Sequence, residues 1–366
     1  MVTSFGTTEG GAEQWLLSML NSLRDEVIVR VLVLEEGPLI EALTHVGATV
    51  RVIPVFGLRP SEMARGARAI AHDLRAHRPD VVVGNGVKAQ AALILGARVV
   101  RVPNVWVKHD HSFDAQVARP LGWLSGRVVA TALEVGEAVG RDDVVVIEPE
   151  RPQLPLSREQ SLTELARFGY RPDALSALVM VGRLVPYKGV DIAISALAYT
   201  GADRWRLVVI GSDDDSAPGE TERLRQLATT LGVGARVHFC GHVPRAGRLL
   251  AAFDALAVMT RPGQAGAPQR EGYGITGTEA MLAGVPVIMA GEGPVARRLR
   301  TSRGDAGIVV RIGDPLDTAK ALAALADERY RQELGQRGCA AAEQMPGTSE
   351  VAAAFLGVLA DAAMPT

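Results

Sequence analysis

Apolar positions along this chain switch repeatedly between a helical period and short continuous runs. Residues 13–21 place Trp15, Leu16, Met19 and Leu20 at helical spacing, ahead of the strand-like run Val27-Ile28-Val29-Arg30-Val31-Leu32-Val33. The pattern then predicts a helix over 39–45, a strand over 49–55, an Ala- and Arg-rich helix over 61–77 and a strand over 80–83. A helix over 88–95 and strands at 99–100 and 105–108 follow. Strands alternating with helical segments of this length imply βαβ units on a parallel sheet, and near-continuous Val/Ile runs suit strands covered on both faces.

Residues 144–157 carry Pro149, Pro152 and Pro155. Proline fixes φ and lacks an amide donor, so this stretch reads as a connection between domains. A second series follows it, with strands at 177–181, 206–210, 236–239, 255–259, 285–289 and 307–310. Helices over 190–197, 221–231 and 278–283 lie between them, and the chain ends in Ala-rich helix. The economical architecture is α/β with two Rossmann-like, doubly wound domains, 1–150 and 151–345, facing a central cleft. Residues 346–366 form a terminal helix packing back toward the first domain. Ligands of such sheets sit at the carboxyl ends of the strands.

Composition narrows the class without naming a chemistry. A length of 366 residues with 48% apolar and 22% charged positions suits two globular cores. A net charge of −2 supplies no overall field for nucleic acid or an anionic membrane; either partner would need a local patch. No strongly cationic amphipathic helix is expected, which leans away from a lipid acceptor. No apolar run reaches the roughly 20 residues of a membrane span, and the first residues lack a basic-then-apolar leader pattern. The expectation is a cytoplasmic protein whose Cys240 and Cys339, without CxxC spacing, are buried thiols.

Two segments carry the chemistry. Gly182-Arg183-Leu184-Val185-Pro186-Tyr187-Lys188-Gly189 follows an apolar strand and precedes a helix. A forked guanidinium and a compact ammonium around a proline turn suit a diphosphate, although a solvated basic loop has the same composition. In Arg270-Glu271-Gly272-Tyr273-Gly274-Ile275-Thr276-Gly277-Thr278-Glu279, the glycines allow close backbone approach to a ligand. Thr276 or Thr278 is the expected cap of a helix ending at Gly284, whose first-turn amides form an anion site. Glu271 and Glu279 can accept from sugar hydroxyls, and Glu279 also suits a helix N-terminus without any ligand. His109-Asp110-His111 and Asp213-Asp214-Asp215 invite metal readings. The first lacks further ligands in sequence, and the second reads as a solvated loop.

Glu271-x7-Glu279 with Gly272, Gly274, Ala280-Met281 and Gly284-Val285-Pro286-Val287, preceded by Gly182-Arg183 and Lys188-Gly189, resembles glycosyltransferase family 4. That resemblance implies a GT-B fold and a retaining, metal-independent glycosyltransferase with a nucleotide-sugar donor, UDP-sugars being the default class, and no further cofactor. It implies that Arg183 and Lys188 meet the donor diphosphate. Glu271 would meet the sugar hydroxyls, Glu279 the ribose, and the amides of Gly274, Ile275 and Thr276 the phosphates. Gly10 and Gly11 match the glycine loop of the first domain, His109 the histidine near the sugar, and Val243 the position of the base, with Arg248 close by. The catalytic set is then Glu271, His109, Arg183 and Lys188.

Three departures stand out. Only 1–6 precede the glycine turn, Ile147-Glu148-Pro149-Glu150-Arg151 replaces the usual Asn-Gly-x-Asp, and Thr276-Gly277-Thr278 is more polar than the usual aliphatic run. The expected acceptor is a small polar molecule such as an aminocyclitol precursor of secondary metabolism. Lys88, at a strand end, is a candidate acceptor contact or a plain helix-start lysine. The rival functions are a sugar-nucleotide 2-epimerase of the same fold and a non-catalytic sugar-nucleotide-binding subunit.

Overall fold

The computed structural model describes 1–4, Gly6, Thr8, 10–55, Gly57, 59–263 and 270–364. The chain divides into two compact units, Met1–Glu150 with Pro346–Thr366, and Arg151–Met345.

In the first unit β1 (Val2–Thr3), α1 (Gly11–Leu23), β2 (Arg30–Val33), α2 (Leu39–His45) and β3 (Thr49–Val52) are followed by α3 (Pro60–His77) and β4 (Val82–Asn85). Then come α4 (Val87–Val100), β5 (Asn104–Lys108), α5 (Arg119–Leu124), β6 (Arg127–Ala130), α6 (Leu133–Glu137) and β7 (Val145–Val146). The strands form one parallel sheet in the order β3-β2-β1-β4-β5-β6-β7. The order reverses between β1 and β4. From β3 through β6 the later connections all advance in one direction, so right-handed crossovers put α3, α4 and α5 on one face of the sheet and α1 and α2 on the other. The cores agree: Ile70, Leu74, Ala89 and Leu93 pack under α3 and α4, while Leu16, Leu39 and Phe355 pack on the opposite face.

The second unit runs α7 (Arg158–Ala166), β8 (Ser176–Val181), α8 (Val190–Ala196), β9 (Trp205–Ile210), α9 (Glu220–Thr230), β10 (Val237–Gly241) and β11 (Ala255–Val258). It continues with α10 (Ile275–Leu282), β12 (Val287–Ala290), α11 (Pro294–Leu299), the hairpin β13 (Arg300–Thr301) and β14 (Gly304–Asp305), β15 (Gly307–Val310), α12 (Pro315–Leu325) and α13 (Glu328–Ala342). Its parallel sheet has the order β10-β9-β8-β11-β12-β15, reversing between β8 and β11. The last helix, α14 (Thr348–Ala363), packs on α1 of the first unit, with Phe355 edge-on to Trp15. Among the described residues no helix is long and apolar enough to cross a membrane.

Several local expectations change. Val99–Val100 is not a strand but the last turn of α4: the helical spacing of Ala92, Leu93, Gly96 and Ala97 carries the helix past the β-branched pair to Arg101. The strand expected over 27–33 begins at Arg30. Val145–Val146, read as connector, pairs with Val129–Ala130 as an edge strand. Helix α10 starts at Ile275, so neither Thr276 nor Thr278 caps it; Gly274, at φ 77°, makes the turn in a conformation that disfavours a side chain. Asp213-Asp214-Asp215 is not simply solvated. Asp213 accepts from the amides of Gly219 and Thr221 at the start of α9, and Asp214 accepts from Arg183.

Most consequential is α3. Ala67, Ile70, Ala71 and Leu74 form its buried face, and Arg65, Arg68, His72 and Arg75 its exposed one. It is a cationic amphipathic helix, contrary to expectation. Small residues conceal it in the sequence, because its apolar face is largely alanine pressed against α4. There a side chain at Gly96 would lie 2.8 Å from the Ala67 carbonyl oxygen.

Candidate functional site

The second unit gathers polar groups where its strand order reverses. Lys188 in the loop after β8, Thr260 two residues past β11 and Glu271 ahead of α10 come together over a cavity also lined by Arg183, Gly274 and Thr276. Lys188 closes a 3-10 turn, Pro186–Lys188, whose Tyr187 carbonyl accepts from the Arg261 amide at 2.8 Å. Gly189, at φ 71°, then lets the backbone press on Met259: a side chain there would lie 2.3 Å from the Met259 carbonyl oxygen. This close approach aims the ammonium inward. Lys188 Nζ donates to Glu271 Oε2 at 2.9 Å, and Thr260 Oγ1 donates to the same oxygen at 2.6 Å. Burial pulls the lysine toward neutrality, but the Glu271 carboxylate outweighs it and holds the ammonium above its ordinary pKa. The pair is therefore ionic and oriented.

Arg183 does not share that environment. Its guanidinium, 66% exposed, donates to Asp214 at 2.6 Å and to the Tyr187 hydroxyl at 3.3 Å. It lines the cavity rim beside Lys188 while its charge is shared with a neighbouring loop. The first amides of α10, at Ile275 and Thr276, lie beyond the reach of intrahelical acceptors and face the same end of the sheet.

Glu279, one turn into α10, is separate from the Lys188 pair. Its carboxylate lies against the backbone of Gly247 in the 3-10 segment Ala246–Ala252, where an added side chain would meet it at 2.0 Å. No cation of the described residues pairs with it, and burial pushes its pKa up to about 7. Val243 is buried in the core just before that segment. Arg248 turns away from the cavity: its Nε donates to the Leu154 carbonyl, and its own carbonyl accepts from Leu156, pinning the connector.

The first unit builds a second polar cluster at its own reversal point. Gly10, at the start of α1, and Gly11 lie beside Asn85 at the end of β4, whose Nδ2 donates to the Ala12 carbonyl at 3.4 Å. His109 follows β5, with its ring edge-on to Trp15 and Nε2 2.6 Å from Asn85 Oδ1. Burial is the main cause that lowers the His109 pKa to about 4. In the neutral ring Nε2 carries the hydrogen toward the amide oxygen, which leaves Nδ1 as an acceptor. His111 turns elsewhere, to Asp114 at 2.8 Å, and that carboxylate also meets the fully buried Lys108 ammonium at 2.6 Å. The two histidines therefore do not converge, and no group of metal-binding side chains occurs among the described residues. Lys88 pairs with Glu35 at 2.6 Å. Glu9, in the predicted glycine loop, lies outside the described residues.

Residues 169–340 match the family described as glycosyl transferases group 1. The matched stretch lies within the second unit. D-inositol 3-phosphate glycosyltransferases from Acidothermus cellulolyticus and Streptomyces bingchenggensis are each 34% identical, over 191 and 206 residues. These alignments cover 50% and 54% of this chain, and the chain spans only 41% and 43% of those relatives. Among solved structures, Anabaena HepE in complex with UDP and glucose superposes with a TM-score of 0.78 at 21% identity, covering 98% of this chain and 99% of that one. WaaG, a lipopolysaccharide-biosynthesis glycosyltransferase, superposes at 0.70 with 18% identity, covering 98% and 99%. The whole chain thus has the GT-B arrangement of two Rossmann-like units in sequence.

In the second unit, sequence reasoning gave no role to Thr260 or Tyr187 and read Asp214 only as part of an acidic loop; in the first unit it gave no role to Asn85. Position at the carboxyl end of a parallel strand was the available signal for Thr260 and Asn85. The acidic run gave no sign of which carboxylate meets Arg183, and Tyr187 carried no signal, since the interest of both arises from contact with that residue.

Proposed function

We propose that the chain transfers a sugar from a nucleoside diphosphate sugar, a UDP-sugar first among them, to a hydroxyl of a polyhydroxylated ring of the cyclitol class, retaining the anomeric configuration. The observation that carries this reading is the Lys188–Glu271 pair with Thr260, set beside the N-terminus of α10 at the sheet's reversal point. An ammonium and unpaired helix amides suit a diphosphate whose charge grows as it departs, and such preorganised donors stabilise that charge without reorganising. The carboxylate held by Lys188 and Thr260 suits the donor sugar's hydroxyls. Glu279, without a cation of its own, suits a pair of ribose hydroxyls as acceptor.

In this mechanism the bond from the anomeric carbon to the diphosphate breaks as the acceptor oxygen forms its bond on the same face. The acceptor proton passes to the leaving diphosphate oxygen. Arg183, Lys188 and the amides of Gly274, Ile275 and Thr276 take up the released charge. Cyclitol chemistry is favoured because the similar curated proteins are named for an inositol phosphate acceptor.

The test is nucleoside diphosphate release from UDP-, GDP- and ADP-sugars, with and without inositols, inositol phosphates and aminocyclitols. Release that depends on one of these acceptors, with the glycoside recovered in retained configuration, is expected. Release without acceptor accompanied by an epimerised sugar would replace the reading with epimerase chemistry. Donor binding with no turnover would leave a binding protein.

A further inference from the structure

The outer surface of the α3–α4–α5 layer takes no part in the site above. Along α3, Arg65, Arg68 and Arg75 stand exposed on one stripe, with Arg59 before the first turn and Arg78 after the last. Neighbouring α4 adds Arg98 and Arg101. None of these guanidinium groups has a hydrogen-bond or ion-pair partner among the described residues. The acids of α3 face elsewhere: Asp73 is buried under Arg30 and Arg51, and Glu62 turns toward Gly57. Helices α4 and α5 contain no acid. The chain is not short of carboxylates, since Arg141, Arg206 and Arg261 all find one.

Local electrostatics does not account for the stripe. A helix C-terminus favours cations, which covers Arg75, Arg78, Arg98 and Arg101, but Arg59 and Arg65 lie toward the positive end of α3. Arg78 and Arg101 also occupy left-handed caps, at φ 44° and 60°, where glycine fits with less strain. Beside these cations the same layer exposes apolar side chains: Leu95 and Val99 on α4 and Trp123 on α5, the last 76% exposed. α3 packs on α4 and α4 on α5, so both sets belong to one continuous surface.

We propose that this face docks on a membrane surface carrying anionic phospholipid, with the arginines against phosphate headgroups and Trp123, Leu95 and Val99 at the hydrocarbon boundary. A polyanion alone would engage the arginines and leave the three apolar side chains in water. A lipid surface offers phosphate and hydrocarbon together. Each arginine near such a surface strengthens binding about fivefold. The contact is peripheral and independent of which acceptor the transferase uses.

The test is co-sedimentation of the full chain with vesicles of phosphatidylcholine alone and of phosphatidylcholine mixed with phosphatidylglycerol, at low and high salt. Salt-weakened binding to the mixed vesicles only is expected. R65E/R68E/R75E and the milder R65Q/R68Q/R75Q should lower the partition constant at least about tenfold, and W123A several-fold, with circular dichroism and melting unchanged. Absence of wild-type binding, binding unaffected by the arginine changes, or a W123A variant equal to wild type overturns the proposal. Capture of duplex DNA with no capture of vesicles also overturns it, in favour of a nucleic-acid face.

Discussion

Glu279 offers the sharpest test of the geometry, because its carboxylate is held in a place that disfavours its own charge. Pressed on the Gly247 backbone without a cation, it has its pKa raised by burial from 4.5 to about 7. A group whose pKa is higher folded than unfolded gives stability that is complete below pH 4.5 and lost as pH rises through about 7. The shift corresponds to about 3 kcal/mol, and partial exposure of the residue trims this to about 2. Glu279→Gln keeps the shape and removes the titration. Relative to wild type, the ligand-free variant should gain stability between pH 4.5 and 7 and hold the gain above that. At pH 8 its melting temperature should be about 4–8 °C higher. Thermal melts of both proteins across this range, read by circular dichroism, supply the assay. Addition of UDP should reverse the ranking, since the amide accepts less well from ribose hydroxyls. Melting curves that run parallel with pH would refute the burial argument, and unchanged UDP stabilisation would refute the ligand assignment.

Other perturbations test the remaining parts. Lys188→Ala and Glu271→Ala should each cut turnover at least about tenfold, and the double variant should lose less than the product of the two, because the residues share one ion pair. Steady-state kinetics on all three proteins checks this. His109 is held near pKa 4 against 6.5 in a free ring, so wild type should lose about 2 kcal/mol on acidification from pH 7 to 5. His109→Asn should not show that loss in urea titrations. Asn85→Leu removes the acceptor that fixes the His109 tautomer and should lower kcat more than it raises the donor KM, whereas a purely structural role would lower the melting temperature alone. Asp214→Asn frees the exposed Arg183 and should change stability by under about 1 kcal/mol while shifting donor KM.

Periodicity made the fold class legible. Each helix buries one stripe and each central strand both faces, so the periods of the apolar positions alone reveal alternating elements of parallel βαβ units. Reading failed where one signal stood for two structures. The Val99–Val100 pair looked like a strand because branching at Cβ was weighed above helical register. The face of α3 was missed because alanine buries as readily as leucine when a partner helix comes close. At the candidate site, residue types and loop positions were visible, but their partnerships were not. Arg183 and Lys188 sit in one loop, yet one bonds outward to Asp214 and the other inward to Glu271, 83 positions away.

By itself, then, the sequence determined the alternation of elements, the placement of charged and glycine-rich loops after strands, and the match of residues 169–340 to the group 1 glycosyl transferases. Tertiary structure decided which groups meet: Thr260 and Lys188 on one oxygen of Glu271, Asn85 on His109, Glu279 on bare backbone, and unpaired arginines across α3 and α4. The reason is physical. Local pattern follows from burial along one element, whereas protonation, pairing and surface field depend on strand order, which brings distant positions within hydrogen-bonding distance.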